Sequence, residues 1–352
     1  MRKPSEYRIR AIDQWGRIFG ALGTSSAWPG YESGVTEEEF AELNRIIETH
    51  VHHNGWFTEN NVRRALFAWS EELTHHRISE WLGRYEWNEV DTQKKVGIIC
   101  AGNLPLVGLH DVLSVLLSGH TAVVKLSSDD NLLIPALFAI LIRLDESVGQ
   151  QLVFAPGLMK DMEAVIATGS NNTSRYFEQY FGHLPHIIRK SRTSVAILNG
   201  AETEEELKAL GRDVFAYFGL GCRNVSKVYL PQGFEMDRLF NALFDYNAII
   251  HHHKYANNYD YNKAVWLLNS EPLLDNGFLL LKEDASLASP TGSVYYEYYT
   301  QEEKLRESLM LRAEEIQCVV SHRDIPFGGS QRPALWDYAD GVDTMAFLQG
   351  LC

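Results

Sequence analysis

Four short segments of this chain carry residue types that can do chemistry. The first is Gly219-Leu220-Gly221-Cys222-Arg223-Asn224, where glycines around a bend leave the Cys222 thiol uncrowded and let its backbone N–H face a ligand. A thiol is the best side-chain nucleophile for a thioester or aldehyde carbon, because sulfur is soft and partly ionised near neutrality. The competing description is a small buried hydrophobe in a turn. The second segment is Gly102-Asn103-Leu104-Pro105. The Asn103 amide can donate to an oxyanion; it can equally cap a helix begun by Pro105. The third is Lys125 with Leu126-Ser127-Ser128, where a lysine can hold ribose hydroxyls or phosphate, or simply carry charge out of a sheet. The fourth is Thr168-Gly169-Ser170, whose glycine permits close backbone approach and whose following helix can accept a phosphate. It also fits an ordinary helix start.

These segments need a scaffold, and the pattern around them supplies one. Val96 to Cys100 is a short, apolar, β-branched run, followed by a helix-like stretch from Pro105 to Leu117 and a second buried strand from Thr121 to Lys125. That is a βαβ unit. The alternation continues with a helix near Asn131 to Leu144, a strand at Ala164 to Ala167, a helix from Asn172 to Phe181, and strands at His186 to Ile188 and Ser194 to Leu198. Alternating β and α segments imply a parallel sheet covered on both faces. Each of the first three polar sites, in chain order, then follows the carboxyl end of a strand, where α/β proteins bind ligands. A second α/β region opens with the capping-box pattern of Thr203 and Glu206. Its strands are expected at Ser226 to Leu230, Lys263 to Leu268, Val294 to Tyr299 and Ile316 to Val320.

The first ninety residues are expected to be helical, with Thr58 capping a helix whose Val62, Leu66, Trp69 and Leu73 share a face. The histidines there, His50, His52, His53, His75 and His76, lack a ligand spacing and are expected at the surface. The domain expectation is a helical region plus cofactor-binding domain over 1–193, a catalytic domain over 194–329 and a C-terminal arm over 330–352.

Composition narrows the partners. Among 352 residues the formal net charge is -14, which argues against general affinity for nucleic-acid phosphates. The N-terminus is charged and lacks a signal-peptide core. The longest apolar run, Leu132 to Ile142, contains Pro135 and is about half the ~20 residues needed to span a bilayer. A cytoplasmic protein without a membrane span is expected. Four scattered cysteines, Cys100, Cys222, Cys318 and Cys352, offer no CxxC pair, so neither a disulfide frame nor a metal site is expected. Neither a GxGxxG fingerprint nor a GxxxxGK[ST] loop occurs.

The order of the segments is more specific than any one of them. Asn103-Leu104-Pro105, Lys125, Thr168-Gly169-Ser170, Gly221-Cys222 and Pro326-Phe327-Gly328-Gly329 resemble, in sequence, the aldehyde dehydrogenase superfamily over roughly residues 90 to 345. The resemblance implies an α/β fold of the aldehyde dehydrogenase kind, with two parallel-sheet domains and a helical N-terminal region. It implies Cys222 as nucleophile, Asn103 in the oxyanion hole, Lys125 on the adenine-side ribose, and Gly169-Ser170 at the pyrophosphate. Hydrolytic members carry a water-activating glutamate some thirty-odd residues before the cysteine. The corresponding stretch here, Ile188-Arg189-Lys190-Ser191-Arg192-Thr193, has no carboxylate. That departure is similar to the acylating branch, and the start of the catalytic half looks most like the fatty acyl-CoA reductase family of bacterial bioluminescence systems and its shorter relatives.

The resemblance therefore implies an acyl-CoA reductase that passes through a cysteine thioester, with coenzyme A as co-substrate, acyl-CoA or aldehyde as substrate, and a homodimer. An aldehyde oxidiser using a distant base, or a silent binding module on the same fold, are the alternatives. The cofactor is expected to be NADP(H), or both nucleotides, rather than strictly NAD(H). NAD-restricted relatives commonly have a glutamate three residues after the lysine, and this chain has Ser128 there. A second departure lies at Leu287-Ala288-Ser289-Pro290, where the superfamily usually carries the glutamate that holds the nicotinamide ribose; Glu283 is a candidate substitute.

Overall fold

The computed structural model describes residues 3–87, 93–157 and 159–351. The chain forms two compact units, one of residues up to 190 joined by the tail from 334, the other of residues 191–333.

The first unit begins with α1 (Glu6–Gly23), α2 (Glu37–Thr49), α3 (Glu59–Glu72) and α4 (His75–Leu82). Thr36, Thr58 and Thr74 cap α2, α3 and α4 through their side chains, which satisfies backbone N–H groups otherwise left open. There follow β1 (Lys95–Ile99), α5 (Leu109–Leu117), β2 (Thr121–Lys125), α6 (Leu133–Leu144), α7 (Glu146–Gln151), β3 (Leu152–Phe154), β4 (Ala164–Thr168), α8 (Asn171–Phe181) and β5 (His186–Arg189). The sheet runs in the order β3-β2-β1-β4-β5, and every pairing is parallel. The helical region packs on α6: Trp15 is fully buried, lies against Phe138 and donates its indole N–H to the Leu137 carbonyl at 2.9 Å.

The second unit contains β6 (Thr193–Ile197), α9 (Glu204–Phe215), β7 (Val225–Pro231), α10 (Met236–Leu243), α11 (His253–Leu268), β8 (Leu274–Asp275), β9 (Leu280–Glu283), β10 (Ser293–Tyr299), α12 (Glu302–Met310) and β11 (Ile316–Val320). Its sheet order is β11-β6-β7-β10-β9-β8, parallel except for the β8–β9 pair. The expected capping box of α9 is present in full. The core between α9, α10 and the sheet is built from Leu207, Leu210, Val214, Val228, Leu230, Leu239 and their neighbours.

The tail returns to the first unit, where α13 (Thr344–Gln349) lies against α5. Trp81 and Tyr85 both hydrogen-bond the Tyr338 hydroxyl at 2.6 Å, and Thr344 accepts from Arg189 at 3.0 Å.

Three expectations are corrected. Lys263 to Leu268 is the end of helix α11 rather than a strand: the run is apolar and short enough to suit either, and the helix that contains it is begun by a His252 cap far upstream. The helix expected from Pro105 starts only at Leu109, with Gly108 as its N-cap, because a left-handed residue at Leu106 (φ 64°) intervenes. His50 is 1% exposed rather than solvated, packed against Phe57, and burial lowers its pKa.

Candidate active site

Parallel strands place their following loops side by side. β2, β1 and β4 are adjacent, so the loops carrying Lys125 and Ser128, Asn103, and Gly169-Ser170 all leave one edge of the sheet. The chain builds β2 and β3 to one side of β1 and β4 and β5 to the other. The β1/β4 boundary is therefore the topological switch point, where the crevice of an open α/β sheet opens. Asn103 and Gly169-Ser170 flank it.

The loop geometry there is tight. A Cβ on Gly102 would overlap the Ser127 side chain, so the loops after β1 and β2 approach closely beside Asn103. Asn103, Lys125, Ser128 and Ser170 are exposed and Gly169 is half-buried. Ser170 caps α8, accepting the Thr173 N–H at 3.3 Å. Asn103 is not the cap of α5, since Gly108 holds that position. Asp129 is exposed, whereas Asp130 turns inward, is 1% exposed, and accepts the Leu106 N–H on Oδ2 at 2.9 Å. Burial pushes its carboxyl up to about 7.

Cys222 belongs to the second unit and lies before the amino end of β7. The bend that presents it is strained. Tyr217 (φ 51°) and Phe218 (φ 60°) are left-handed non-glycine residues, followed by Gly219 at φ 78°. Such residues persist only where the surroundings enforce them, and they cluster at functional sites. Asn224 is the enforcing group. Its buried Nδ2 donates to the carbonyls of Asp213, Val214 and Ala216 at 3.0, 3.3 and 2.9 Å, and its Oδ1 accepts the Gly221 N–H at 2.8 Å. One amide thus ties the last turn of α9 to the residue before Cys222. Behind Cys222, the buried Ser194 hydroxyl donates to the Cys222 carbonyl at 2.9 Å and lies 3.0 Å from the Cys318 thiol.

The late Phe327-Gly328-Gly329 segment joins the same cluster. Asp213, fully buried on α9, accepts the N–H groups of Gly328 and Ser330 at 2.5 and 2.9 Å. Gly328 has φ 84°, and a Cβ there would overlap the Arg212 guanidinium. Asn224, Ser194 and Asp213 had no assigned role in the sequence reading. Asn224 is legible in retrospect as the second residue after Cys222; Ser194 and Asp213 lie 28 and 9 positions upstream, with no local signal.

Exposure separates the cysteines. Cys222 is exposed, Cys318 half-buried, and Cys100 buried with its thiol pushed well up by burial. The stretch without a carboxylate is also accounted for. Arg189 is buried, paired with Asp111 at 2.5 and 2.9 Å, and so is committed to the interior beneath α5. Glu283 is exposed at the end of β9. Among the described residues no group of His, Cys, Asp and Glu is placed to hold a metal, and no helix is long and apolar enough to cross a membrane.

The fold is similar to that of solved aldehyde dehydrogenases. HpcC from Thermus thermophilus superposes with a TM-score of 0.63 at 13% identity, covering 91% of this chain and 70% of that one. The indole-3-acetaldehyde dehydrogenase of Pseudomonas syringae, solved with NAD+ and indole-3-acetate, gives 0.60 at 12% identity, covering 89% and 72%. An aldehyde dehydrogenase of Mycobacterium tuberculosis complexed with NAD+ gives 0.56 at 16%, covering 88% and 73%. No curated protein matches the sequence. The profile of the acyl-CoA reductase (LuxC) family matches residues 59–244, more than half of the chain. The chain belongs to that family and is an oxidoreductase acting on acyl-CoA and aldehyde groups.

Proposed function

We propose that this protein reduces an acyl-CoA thioester to an aldehyde through a thioester on Cys222, using NADP(H) in preference to NAD(H). The observation that carries the proposal is Cys222 itself: an exposed thiol on an enforced left-handed bend, in a chain of the acyl-CoA reductase family. The first unit fits a dinucleotide. Its switch point, the close Gly102–Ser127 approach and the exposed Lys125 amine and Ser128 hydroxyl suit a ribose and a phosphate, with Gly169 and Ser170 opening α8 toward the pyrophosphate. On this reading cofactor binding falls to the first unit and the covalent chemistry to the second.

The thiolate of Cys222 attacks the acyl-CoA carbonyl carbon. The Asn103 amide and the Cys222 N–H donate to the oxyanion that forms. The oxyanion collapses, the carbon–sulfur bond to coenzyme A breaks, and the coenzyme A thiolate leaves with a proton from solvent. The reduced nicotinamide, when bound, supplies the hydride that reduces the thioester. Asn103 again steadies the oxygen of the resulting thiohemiacetal, and Cys222 is expelled as thiolate with release of the aldehyde.

The test is product analysis with the full-length protein. Acyl-CoA and NADPH should give aldehyde and free coenzyme A in equal amounts, with slow acid formation when nicotinamide is withheld. The motive for that last expectation is the commitment of Arg189 to Asp111 and the lack of a carboxylate from 188 to 193. Rapid hydrolysis of the thioester to free acid would overturn the reading.

A further inference from the structure

Asp130 follows Ser128 by two residues and precedes α6. It is 1% exposed, and of its two oxygens only Oδ2 has a hydrogen-bond partner, the Leu106 N–H at 2.9 Å. Burying a carboxyl group with half its capacity unmet is costly. The contact it makes in return reaches across to the loop after β1, to the residue with the left-handed backbone at φ 64°. Asn103 lies three residues before that point. On the other side of Asn103, the Asn54 amide holds the Gly102 carbonyl at 3.2 Å, and Gly102 is pressed against Ser127. The exposed Asn103 is therefore carried on a short span pinned at both ends, and the downstream pin is a side chain from the neighbouring strand's loop.

The geometry points to Asp130 as the positioning residue of Asn103: its carboxyl group fixes the Leu106 end of the loop and so sets where the Asn103 amide stands. The inference rests on the reading of Asn103 as an oxyanion donor. A donor works only within a few tenths of an ångström of the place where charge develops. Releasing Leu106 lets the span relax toward ordinary backbone geometry and moves the amide off target. The expected loss falls on the acylation rate rather than on cofactor binding, because the pin acts on the β1 loop while Lys125 and Ser128 keep their own places on the β2 side.

The experiment is single-turnover acylation, read as coenzyme A release after mixing full-length protein with acyl-CoA. The proteins are wild type, Asp130→Ala, Asp130→Asn, Asn103→Ala and the Asn103→Ala/Asp130→Ala double variant. Asp130→Ala should slow acylation about tenfold or more and leave the Kd for NADPH within about twofold, while Asp130→Asn, which keeps an acceptor oxygen, should stay within about threefold of wild type. In the Asn103→Ala background the same Asp130→Ala change should cost less than about threefold, since a group acting through Asn103 has nothing left to position. An equal loss in both backgrounds would make Asp130 a general structural residue and overturn the inference, as would a wild-type rate for Asp130→Ala. A wild-type rate for Asn103→Ala would instead bring down the oxyanion reading, and this inference with it. Should Asp130→Ala not fold, Asp130→Glu, which displaces the carboxyl by a methylene, enters the same cycle with the same outcomes.

Discussion

The loops that present Asn103 and Cys222 have the same task, to hold one polar residue exposed, and they meet it in different ways. The Asn103 loop leaves the carboxyl end of β1 and is pinned by a titratable group, Asp130, reaching over from the loop after β2. The Cys222 loop lies before the amino end of β7 and is pinned by neutral groups, the Asn224 amide and the Ser194 hydroxyl. Both contain left-handed non-glycine residues, Leu106 in one, Tyr217 and Phe218 in the other. The strain is common to both; the source of its restraint is not. A carboxyl pin makes one loop sensitive to pH, and a pin of neutral groups leaves the other without that sensitivity.

The largest effect should come from the tip of the Cys222 loop. Cys222→Ala should abolish turnover and leave nicotinamide binding intact, because the covalent step vanishes. Mass spectrometry after mixing with acyl-CoA should locate the adduct on Cys222 in the wild type. An adduct confined to Cys100, Cys318 or Cys352 would sink the assignment. The pins come next, and here the two loops should part. Asn103→Ala should lower kcat by about 10²-fold, the scale for one lost oxyanion donor, without lowering Tm, because Gly108 rather than Asn103 caps α5. Asn224→Ala should lower both, since it strips a partner from three helix-end carbonyls and the Gly221 N–H, at a cost of about 2 kcal/mol or more. A stability loss in Asn103→Ala, or none in Asn224→Ala, would break the comparison.

The two loops also differ in how far the sequence revealed them. The first follows a rule that sequence carries well. Apolar β-branched runs at Val96 and Thr121 mark parallel strands, and a polar residue just beyond such a strand is at the ligand edge. Asn103, Lys125 and Gly169-Ser170 were legible for that reason, and the switch point between β1 and β4 accounts for their grouping. What was not legible is which acidic residue turns inward. Asp129 and Asp130 are chemically identical neighbours, and only the packed structure separates an exposed one from a buried one. In the second loop the glycines around Cys222 signalled a bend. Its restraint comes from the Asn224 amide, tied to the end of α9, and from Ser194, remote in sequence and brought in by the β6–β7 pairing. The strand expected at Lys263 to Leu268 failed for a related reason: within so short a window periodicity does not distinguish a strand from the end of α11.

The pH contrast gives a smaller effect. Burial raises the Asp130 carboxyl from an ordinary value of 3.8 to about 7. Between those values the folded chain holds a proton that the unfolded chain has released. The stability that this group contributes is therefore greatest in acid and is lost as pH rises toward 7, levelling off above it. Asp130→Asn is isosteric with the protonated form and removes the dependence. Urea midpoints for the two proteins should diverge between pH 5 and pH 8, the variant gaining on the order of 2 kcal/mol on the wild type at the upper end. Parallel curves would mean that Asp130 keeps its charge throughout. Asn224→Ala should show no such divergence, since an amide does not titrate in this range.

The smallest effect concerns the cofactor, and it sharpens the account of the first loop. Ser128 stands three residues after Lys125, is exposed, and has Asp129 and Asp130 after it. A carboxylate at position 128 would repel an adenosine 2′-phosphate and favour a 2′-hydroxyl; a serine removes the repulsion and can donate a hydrogen bond, with the Lys125 ammonium as the cationic partner. The two following aspartates would undo this if both faced the ribose as anions. Asp130 instead turns into the protein toward Leu106 and is held part-protonated at neutral pH, which leaves Asp129 as the exposed member of the pair. Ser128→Glu should therefore shift preference from NADPH toward NADH by about tenfold for each ~1.4 kcal/mol of phosphate binding lost, with kcat for acylation unchanged because the Asn103 loop is untouched. Asp129→Asn should move the preference the other way by a smaller factor, since an exposed charge is screened by solvent and salt. The measurement is kcat/KM for both nucleotides in the three proteins. A wild type that strongly prefers NADH would refute the NADP(H) reading and reduce Ser128 to a loop residue. A Ser128→Glu variant that loses acylation rate along with NADPH would show that the loops after β1 and β2, pressed together at Gly102 and Ser127, cannot be perturbed one at a time.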